Sequence, residues 1–372
     1  MGESLFFDKA AQLACEGQGR TGSNPSVGCV IVKDGKIIGV GRTADGGRPH
    51  AEANALRQAG RSAKGATVYV TLEPCSHAGR GPACAQSLVD AQVSRVVIGL
   101  TDPDTRTNGA GMSLLRAQGI EVVTGAFPAG CSAAMAGYLS RQILRRPLVT
   151  LKLAMTLDGM IATEGGQSQW ITNACARGYV HDLRAACDGV MVGATTARAD
   201  NARLTARGRP GAVQPTRIVL TSDAVFSEDS AMIETLSEAP LVFLHSKAAD
   251  DRVISRWEAL GVTCLAVPDA DGKLDLANSL SRLGDLGLNR VLCEGGAALA
   301  TSLIAGDLVD EIITIHAGKL FGSAGQSAIN PLGMPEIQDA PQFDLVDCGK
   351  LDDNIFARWE IDRIGANLVR FS

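Results

Sequence analysis

The sequence predicts two consecutive α/β domains, the first a sheet sandwiched between helices. Three observations carry this. The chain has 372 residues, enough for two or three domains at roughly 100–200 residues each, with ample chain in each half for a core. Apolar residues make up 45%, charged residues 20% and aromatic residues 4%. That is an ordinary globular composition and excludes a largely disordered or collagen-like chain. Segments of helical and of extended apolar periodicity then alternate on both sides of Arg145-Arg146-Pro147.

Each element follows from its residues. Positions 5–15 have apolar residues at helical spacing. VGCVIV and KIIGVG flank Lys33-Asp34-Gly35, and Asp-Gly suits the positive φ angles of a hairpin turn. Pro49 to Ala59 reads as a helix, with Pro49 tolerable in its first turn. TVYVTL is a strand, 83–91 a helix, RVVIGL a strand, MSLLRAQG a helix and IEVVTG a strand. The boundary is placed at Arg145-Arg146-Pro147, giving domains 1–146 and 147–372. The second domain opens with the strand PLVTLKLA and a helix around 174–186. DGVMVGA, TRIVLTS, PLVFLHS, VTCLAVP and RVLCEGG follow as strands, then the helix ALATSLIAG and the strand EIITIHAG. FDLVDCGKLDDNIFARWEID alternates as a terminal antiparallel pair should.

Charge and composition narrow the function. A net charge of −5 argues against a general nucleic-acid coat protein, and no nucleic-acid partner is expected. No apolar run approaches the roughly 18 residues of a membrane span. The start, MGESLFFDKA, lacks a basic region followed by a long apolar one. A cytoplasmic protein without membrane attachment is therefore expected. The ten cysteines fit a reducing compartment, where most thiols are buried as small apolar groups. Cys75 and Cys84 stand apart, and the other eight are read as buried or inert.

The strongest local signal is Pro49-His50-Ala51-Glu52, followed by Leu72-Glu73-Pro74-Cys75 and, eight residues beyond Cys75, Cys84 with SHAGRGPA between them. One imidazole and two thiolates are a natural zinc set, and three protein ligands leave a fourth position for water. A bound divalent cation lowers the pKa of that water toward neutrality. Glu52 is two residues from His50, so it points elsewhere on a helix and can stand beside the metal as a proton shuttle. This order resembles the H-x-E…P-C-x-x-C pattern of zinc nucleobase deaminases, with a wider second gap. The glycines and proline of that gap let it loop out, so that Cys84 re-enters at a helix start, where a thiolate is favoured. Two other readings compete: unrelated buried cysteines with a surface histidine, and a closed structural zinc site with His77 as fourth ligand. His77 is read instead as lining the pocket or capping the loop.

His50-Ala51-Glu52, Thr71-Leu72-Glu73-Pro74-Cys75-Ser76-His77 and Gly81-Pro82-Ala83-Cys84, with Asn24-Pro25-Ser26-Val27-Gly28 upstream, resemble the deaminase half of the bifunctional riboflavin-biosynthesis deaminase–reductase family. The resemblance implies a cytidine-deaminase-like α/β/α sandwich. It implies zinc on His50, Cys75 and Cys84, Glu52 as the catalytic proton carrier and Asn24 against the substrate ring; Asn24 is equally a turn former. Thr43 stands where many relatives carry a histidine.

The second half has no GxGxxG. Cys293-Glu294-Gly295-Gly296 lies between a strand and a helix, where paired glycines admit a ligand and a helix N-terminus favours phosphate. A tight turn explains the pair as well. Leu151 to Gly159, Gln167 to Thr172, Val192 to Thr196 and Asp200 to Thr205 resemble, in order, the reductase half of the same family. That resemblance implies a dihydrofolate-reductase-like α/β domain with NADPH as hydride donor. It places Ala154, Trp170, Thr196, Asp200, Gly295, Gly296, Ala297 and Ala298 near the cofactor, and Ser168, Arg184, Leu204, Arg207 and Glu294 near the substrate. Trp170 can lay a flat ring on a cofactor or belong to the core. Arg184 and Arg207 suit a ribose phosphate, because guanidinium forks bind phosphate oxygens in pairs. Lys152, in an otherwise apolar strand, is read as a cleft residue, and Asp158 as the support of a turn with Gly159. The family often reads Asp-Asp-Pro where this chain has Asp200-Asn201-Ala202, a change expected to loosen that loop. His181 is read on an exposed helix face and His316 as a core or interface residue.

The expected activity is zinc-dependent deamination of 2,5-diamino-6-(5-phosphoribosylamino)pyrimidin-4(3H)-one. NADPH-dependent reduction of the ribosyl side chain then gives 5-amino-6-(5-phosphoribitylamino)uracil. The expected partners are these small molecules and a second copy of the chain, since enzymes of this kind favour homodimers. Three rivals are a deaminase with a diverged second domain, an RNA-editing protein and a non-catalytic zinc protein. The editing reading needs a basic stripe, which the charge of −5 does not favour.

Overall fold

The computed structural model describes residues 2–77, 81–125, 129–270, 272–361 and 363, with side chains described from 4 and, in the helix that opens at 129, from 133. The described residues divide into two compact units, one up to Arg145 and one of Arg146–Arg363. None of the described helices is long and apolar enough to cross a membrane.

The first unit runs α1 (Gly2–Glu16), β1 (Gly28–Lys33), β2 (Lys36–Arg42), α2 (Ala51–Ala59), β3 (Thr67–Leu72), α3 (Cys84–Asp90), β4 (Arg95–Leu100), α4 (Ala110–Ala117), β5 (Glu121–Thr124) and α5 (Ala129–Leu144). Its sheet has the order β2-β1-β3-β4-β5. The β1–β2 hairpin turns at Asp34 and Gly35, both at positive φ, as a two-residue turn requires. β3, β4 and β5 are parallel. β1, β3 and β4 are buried along almost their whole length, because helices cover both faces. The sequence reading missed α5. Its run of alanines, glycine and serine hides the period, yet Ala134, Met135, Tyr138 and Leu139 form a buried stripe at helical spacing.

The second unit runs β6 (Leu148–Thr156), β7 (Met160–Ala162), α6 (Ala174–Ala185), β8 (Gly189–Gly193), α7 (Ala194–Ala199), β9 (Thr216–Thr221), α8 (Ala231–Glu234) and β10 (Leu241–Ser246). It continues with α9 (Asp251–Ala259), β11 (Thr263–Val267), β12 (Asp269–Ala270), β13 (Lys273–Leu274), α10 (Leu276–Asp285), β14 (Arg290–Cys293) and α11 (Ala297–Ala305). It ends with β15 (Glu311–Ala317), β16 (Gln326–Ser327), β17 (Asp344–Leu351) and β18 (Asn354–Glu360). The main sheet has nine strands in the order β11-β10-β9-β8-β14-β6-β15-β18-β17. From β11 to β15 every pairing is parallel; the terminal pair adds antiparallel strands at one edge.

Parallel neighbours need crossover connections. The sequence reading gave successive strands without helices between them, and α9 and α10 correct it. Their caps were visible: Asp250 accepts the Arg252 N–H at 2.8 Å and Asp275 the Asn278 N–H at 2.9 Å. Among the other cysteines, Cys29, Cys187 and Cys293 are buried and Cys264 partly so. Cys15, Cys175 and Cys348 are exposed, and the Cys131 side chain lies outside the described residues.

One buried side chain ties four adjacent strands. Glu311 on β15 accepts from the Thr150 hydroxyl of β6 at 2.7 Å, from Arg290 of β14 at 2.8 Å and from Arg358 of β18 at 2.9 Å. Burial pushes its carboxyl up, but Arg290 and Arg358 outweigh burial and hold it at about 2. Removing one member of such a network costs about 3–5 kcal/mol. A depressed carboxylate stabilises the fold fully above its unfolded pKa of about 4.3 and loses that contribution as pH falls toward the folded value. Glu311→Ala is expected to destabilise the second unit by about 3–5 kcal/mol at pH 7 in urea unfolding. The deficit should narrow as the titration is repeated below about pH 4.3; a deficit independent of pH would refute the charge network.

Candidate active sites

In the first unit the C-terminal ends of the strands and the starts of α2 and α3 converge on a cavity of about 550 Å³. His50 takes extended backbone just before α2. Cys75 follows β3 through the turn Glu73-Pro74, and Cys84 opens α3. The His50 Nδ1 lies 3.3 Å from Cys84 Sγ and 3.7 Å from Cys75 Sγ. All three atoms lie within 4.8 Å of one another. A tetrahedral ion bound at about 2.0 Å to nitrogen and about 2.3 Å to sulfur needs N···S edges of about 3.5 Å. The chain therefore fits zinc in both donor type and spacing. The Cys84 thiol and His50 hold Cys75 down to about 4 against burial, whereas Cys84 is pushed up. A metal would take both as thiolates.

Glu52, in the first turn of α2, is only 4% exposed. Burial pushes its carboxyl up to about 6, with His50 pulling the other way. His77 lines the cavity but stands outside the ligand group, and its Nδ1 is buried with no hydrogen-bond partner among the described residues. That placement disfavours a closed four-ligand site. Asn24 and Thr43 also line the cavity. The Thr43 hydroxyl is committed to the backbone, donating to the Pro25 carbonyl and accepting the Val27 N–H, each at 3.0 Å.

Glu73 is the residue that sequence reasoning quoted but gave no task. Its carboxylate accepts four backbone N–H groups, from Asp102, Gly109, Gly111 and Met112, at 2.9–3.3 Å. This fixes the turn that carries Cys75 to the loop after β4. The approach is close: a Cβ on Gly111 would lie 2.0 Å from the Pro74 carbonyl oxygen. The signal was a charged residue directly after a strand with no charged side chain.

In the second unit a cleft of about 2140 Å³ opens at the C-terminal ends of the parallel strands. Every residue expected there lines it: Ala154, Ser168, Trp170, Arg184, Thr196, Asp200, Leu204, Arg207 and Glu294 to Ala298. Lys152 lines it as well. Trp170 is 62% exposed, so it is no core residue, and the Arg177 guanidinium stacks 4.5 Å from its ring centre. The Gly296 N–H donates to Thr196 Oγ1 at 3.1 Å, joining the starts of α7 and α11. Asp158 accepts from Thr156, Phe321 and Gly322, which ties the β6–β7 turn to the loop after β15.

Three expectations change. Arg184 does not present a free fork. It is bidentate to Glu294 at 2.6 and 3.1 Å and reaches the Thr205 carbonyl at 3.0 Å. Lys152 stands 3.4 Å from the same carboxylate. Burial pushes Glu294 up, yet Arg184 and Lys152 hold it at about 2. Arg207 is the arginine without a guanidinium partner among the described residues lining the site. His181 is half-buried at the cleft rather than on an exposed face. The Asp200-Asn201-Ala202 loop is fastened rather than loosened on its Asn201 side. Asn201 takes a positive φ, which asparagine tolerates, and its Oδ1 accepts the Ala231 N–H at 2.8 Å. His316 is partly exposed, with Nδ1 3.4 Å from the Thr156 carbonyl.

Fold and site define a two-domain enzyme, a cytidine-deaminase-like zinc domain followed by a second α/β domain with its own cleft. Residues 2–100 match the cytidine and deoxycytidylate deaminase zinc-binding region, and residues 147–356 the RibD C-terminal domain. The riboflavin biosynthesis protein RibD of Escherichia coli K12 is 38% identical over 355 residues, covering 92% of this chain and 95% of that protein. Acinetobacter baumannii RibD superposes with a TM-score of 0.87 at 34% identity, over 96% of this chain and 98% of that one. The Thermotoga maritima diaminohydroxyphosphoribosylaminopyrimidine deaminase/5-amino-6-(5-phosphoribosylamino)uracil reductase superposes with a TM-score of 0.83 at 31% identity, over 96% and 97%. The chain belongs to the RibD family of bifunctional riboflavin-biosynthesis deaminase–reductases.

The Glu73 anchor makes a direct prediction. Glu73→Gln removes one of the two acceptor oxygens and should weaken zinc retention against a chelator by about 10–100-fold, as loss of an orienting group does. Retention equal to wild type would show that the turn holds Cys75 without it.

Proposed function

We propose that the first unit deaminates 2,5-diamino-6-(5-phosphoribosylamino)pyrimidin-4(3H)-one and that the second reduces the ribosyl side chain of the product to ribityl. The observation that carries the first step is the trio His50, Cys75 and Cys84 with the buried Glu52 carboxyl beside it. Zinc, when bound, supplies a water made acidic enough to attack at neutral pH. Glu52 takes a proton from that water and delivers it to the exocyclic amine. A C–O bond forms, the C–N bond breaks and ammonia leaves. A carboxyl whose burial raises its pKa is suited to hold the proton between these moments. Asn24 orients the ring from the cavity wall.

In the second unit the cofactor reading is NADPH along Ala154, Trp170, Thr196, Asp200 and Gly295 to Ala298, supported by their shared cleft. NADPH, when bound, supplies the hydride. The anomeric carbon of the side chain accepts it as its bond to the ring oxygen breaks, and that oxygen becomes a hydroxyl by taking the accompanying proton, which Lys152, next to Glu294, can give. Ser168, Leu204 and Glu294 flank the substrate. Arg184 fixes Glu294, and Arg207 takes the ribose phosphate with a fork that no carboxylate among the described residues occupies.

Two substitutions test the assignment. Glu52→Gln should lower ammonia release by about 10²–10⁴-fold, the usual worth of a positioned acid–base group, with zinc content retained. The same sample should still oxidise NADPH when given the deaminated intermediate. Wild-type ammonia release by Glu52→Gln would refute the proton-carrier role. Arg207→Ala should raise the reductase KM about tenfold or more, the loss expected for a charge-assisted phosphate contact of about 1.5–3 kcal/mol; an unchanged KM would remove Arg207 from the phosphate site.

A further inference from the structure

His181, on α6, has no place in the chemistry above, yet it holds a piece of the reductase cleft. Its Nδ1 accepts the backbone N–H of Arg207 at 3.1 Å. Three residues along the same helix, Arg184 donates to the Thr205 carbonyl at 3.0 Å. Gln214 grips the residue between them, accepting the Ala206 N–H at 2.9 Å and donating to its carbonyl at 3.0 Å. Three side chains thus fasten the consecutive residues 205–207 as a strap.

The strap needs fastening. It begins at Leu204, a buried leucine with φ of +59°. A branched side chain at left-handed φ is costly and persists only where its surroundings over-determine it. Arg207, at the other end, has the guanidinium assigned to the phosphate, without a partner among the described residues. Its aim depends on where its backbone is held.

We propose that His181 is a positioning residue of the reductase, holding the Leu204–Arg207 strap so that the Arg207 guanidinium meets the substrate phosphate. The phosphate as occupant rests on the function proposed above; the strap geometry does not. Nδ1 can accept only in the neutral ring with its proton on Nε2. The charged and polar groups that face the ring are Arg184 on its own helix, Arg207 and the Thr205 backbone on the strap, and Glu294 from the end of β14. Its neighbour Asp182 is engaged by Arg209. Burial and the two arginines push the imidazole pKa down, against Glu294 and Thr205, so the ring is neutral and accepting at neutral pH. Protonation would set an N–H against the Arg207 N–H and release the strap.

The test uses the zinc-loaded full chain as wild type, His181→Leu and His181→Asn. Asparagine places its Oδ1 where Nδ1 stood and does not titrate. By hydrogen exchange without substrate, residues 204–208 should exchange faster in His181→Leu and at the wild-type rate in His181→Asn. In the reductase assay His181→Leu should raise KM for the phosphorylated intermediate about three- to tenfold, the worth of one hydrogen bond, with kcat changed less than about twofold. His181→Asn should restore KM. Dividing wild-type KM by that of His181→Asn cancels the titration of the substrate phosphate. The ratio should start near one at about pH 7.5 and rise as the imidazole protonates. Unchanged exchange and KM in His181→Leu would overturn the proposal. A ratio that falls on acidification would overturn it too, since the charged ring would then bind the anion itself. If wild type shows no turnover, the functional reading fails while the exchange comparison still decides whether His181 holds the strap.

Discussion

A carboxylate buried at the C-terminal end of a central parallel strand has to be satisfied, and in both units the site is organised around how that happens. Glu73 follows β3, the middle strand of five, and Glu294 follows β14, the middle strand of nine. Each is almost fully buried. An unpaired carboxylate in such a position would be neutral or would not be tolerated. The two units meet the demand by different means, and the difference decides what each site can do.

Glu73 is satisfied by backbone amides alone. The result is geometric: the Cys75 turn is bolted to the loop after β4 and to the start of α4. Glu52, by contrast, is buried without such a cradle, and its carboxyl stays within reach of a proton. Within one unit, one carboxylate is pinned and another is left able to exchange protons. Glu294 is satisfied by cations, Arg184 and Lys152. That withdraws Arg184 from the ligand and leaves Arg207 among the charges that the cleft can offer an anion.

Much of this was legible in the residues because the chemistry-bearing positions sit at element boundaries that local pattern marks. His50 precedes a helix, Cys75 follows a strand and Cys84 opens a helix, so their convergence follows from ordinary parallel α/β geometry. The glycine pair at Gly295 is marked in the same way. What was not legible depended on pairing. That β9, β10 and β11 run parallel is a tertiary fact; the helices it requires were nonetheless marked, since Val253, Ile254 and Trp257 in α9 and Leu276, Leu280 and Leu283 in α10 recur at helical spacing. The partner of Arg184 lies 110 residues away, and a lone arginine carries no sign of whether its fork is free. His181 looked like one more polar residue on a helix, because the groups that give it a task arrive from the strap beyond β8.

The central claim is that one chain performs a hydrolytic deamination and then a hydride reduction, each in its own unit. The most direct measurement supplies the diaminopyrimidine ribosyl phosphate to a single zinc-loaded sample and follows ammonia release, then adds NADPH and follows its absorbance. Ammonia should appear before any cofactor is added, and NADPH oxidation should not exceed the ammonia already released. Oxidation of NADPH without prior ammonia release would contradict the order of steps, and ammonia release with no later oxidation would contradict the role given to the second unit.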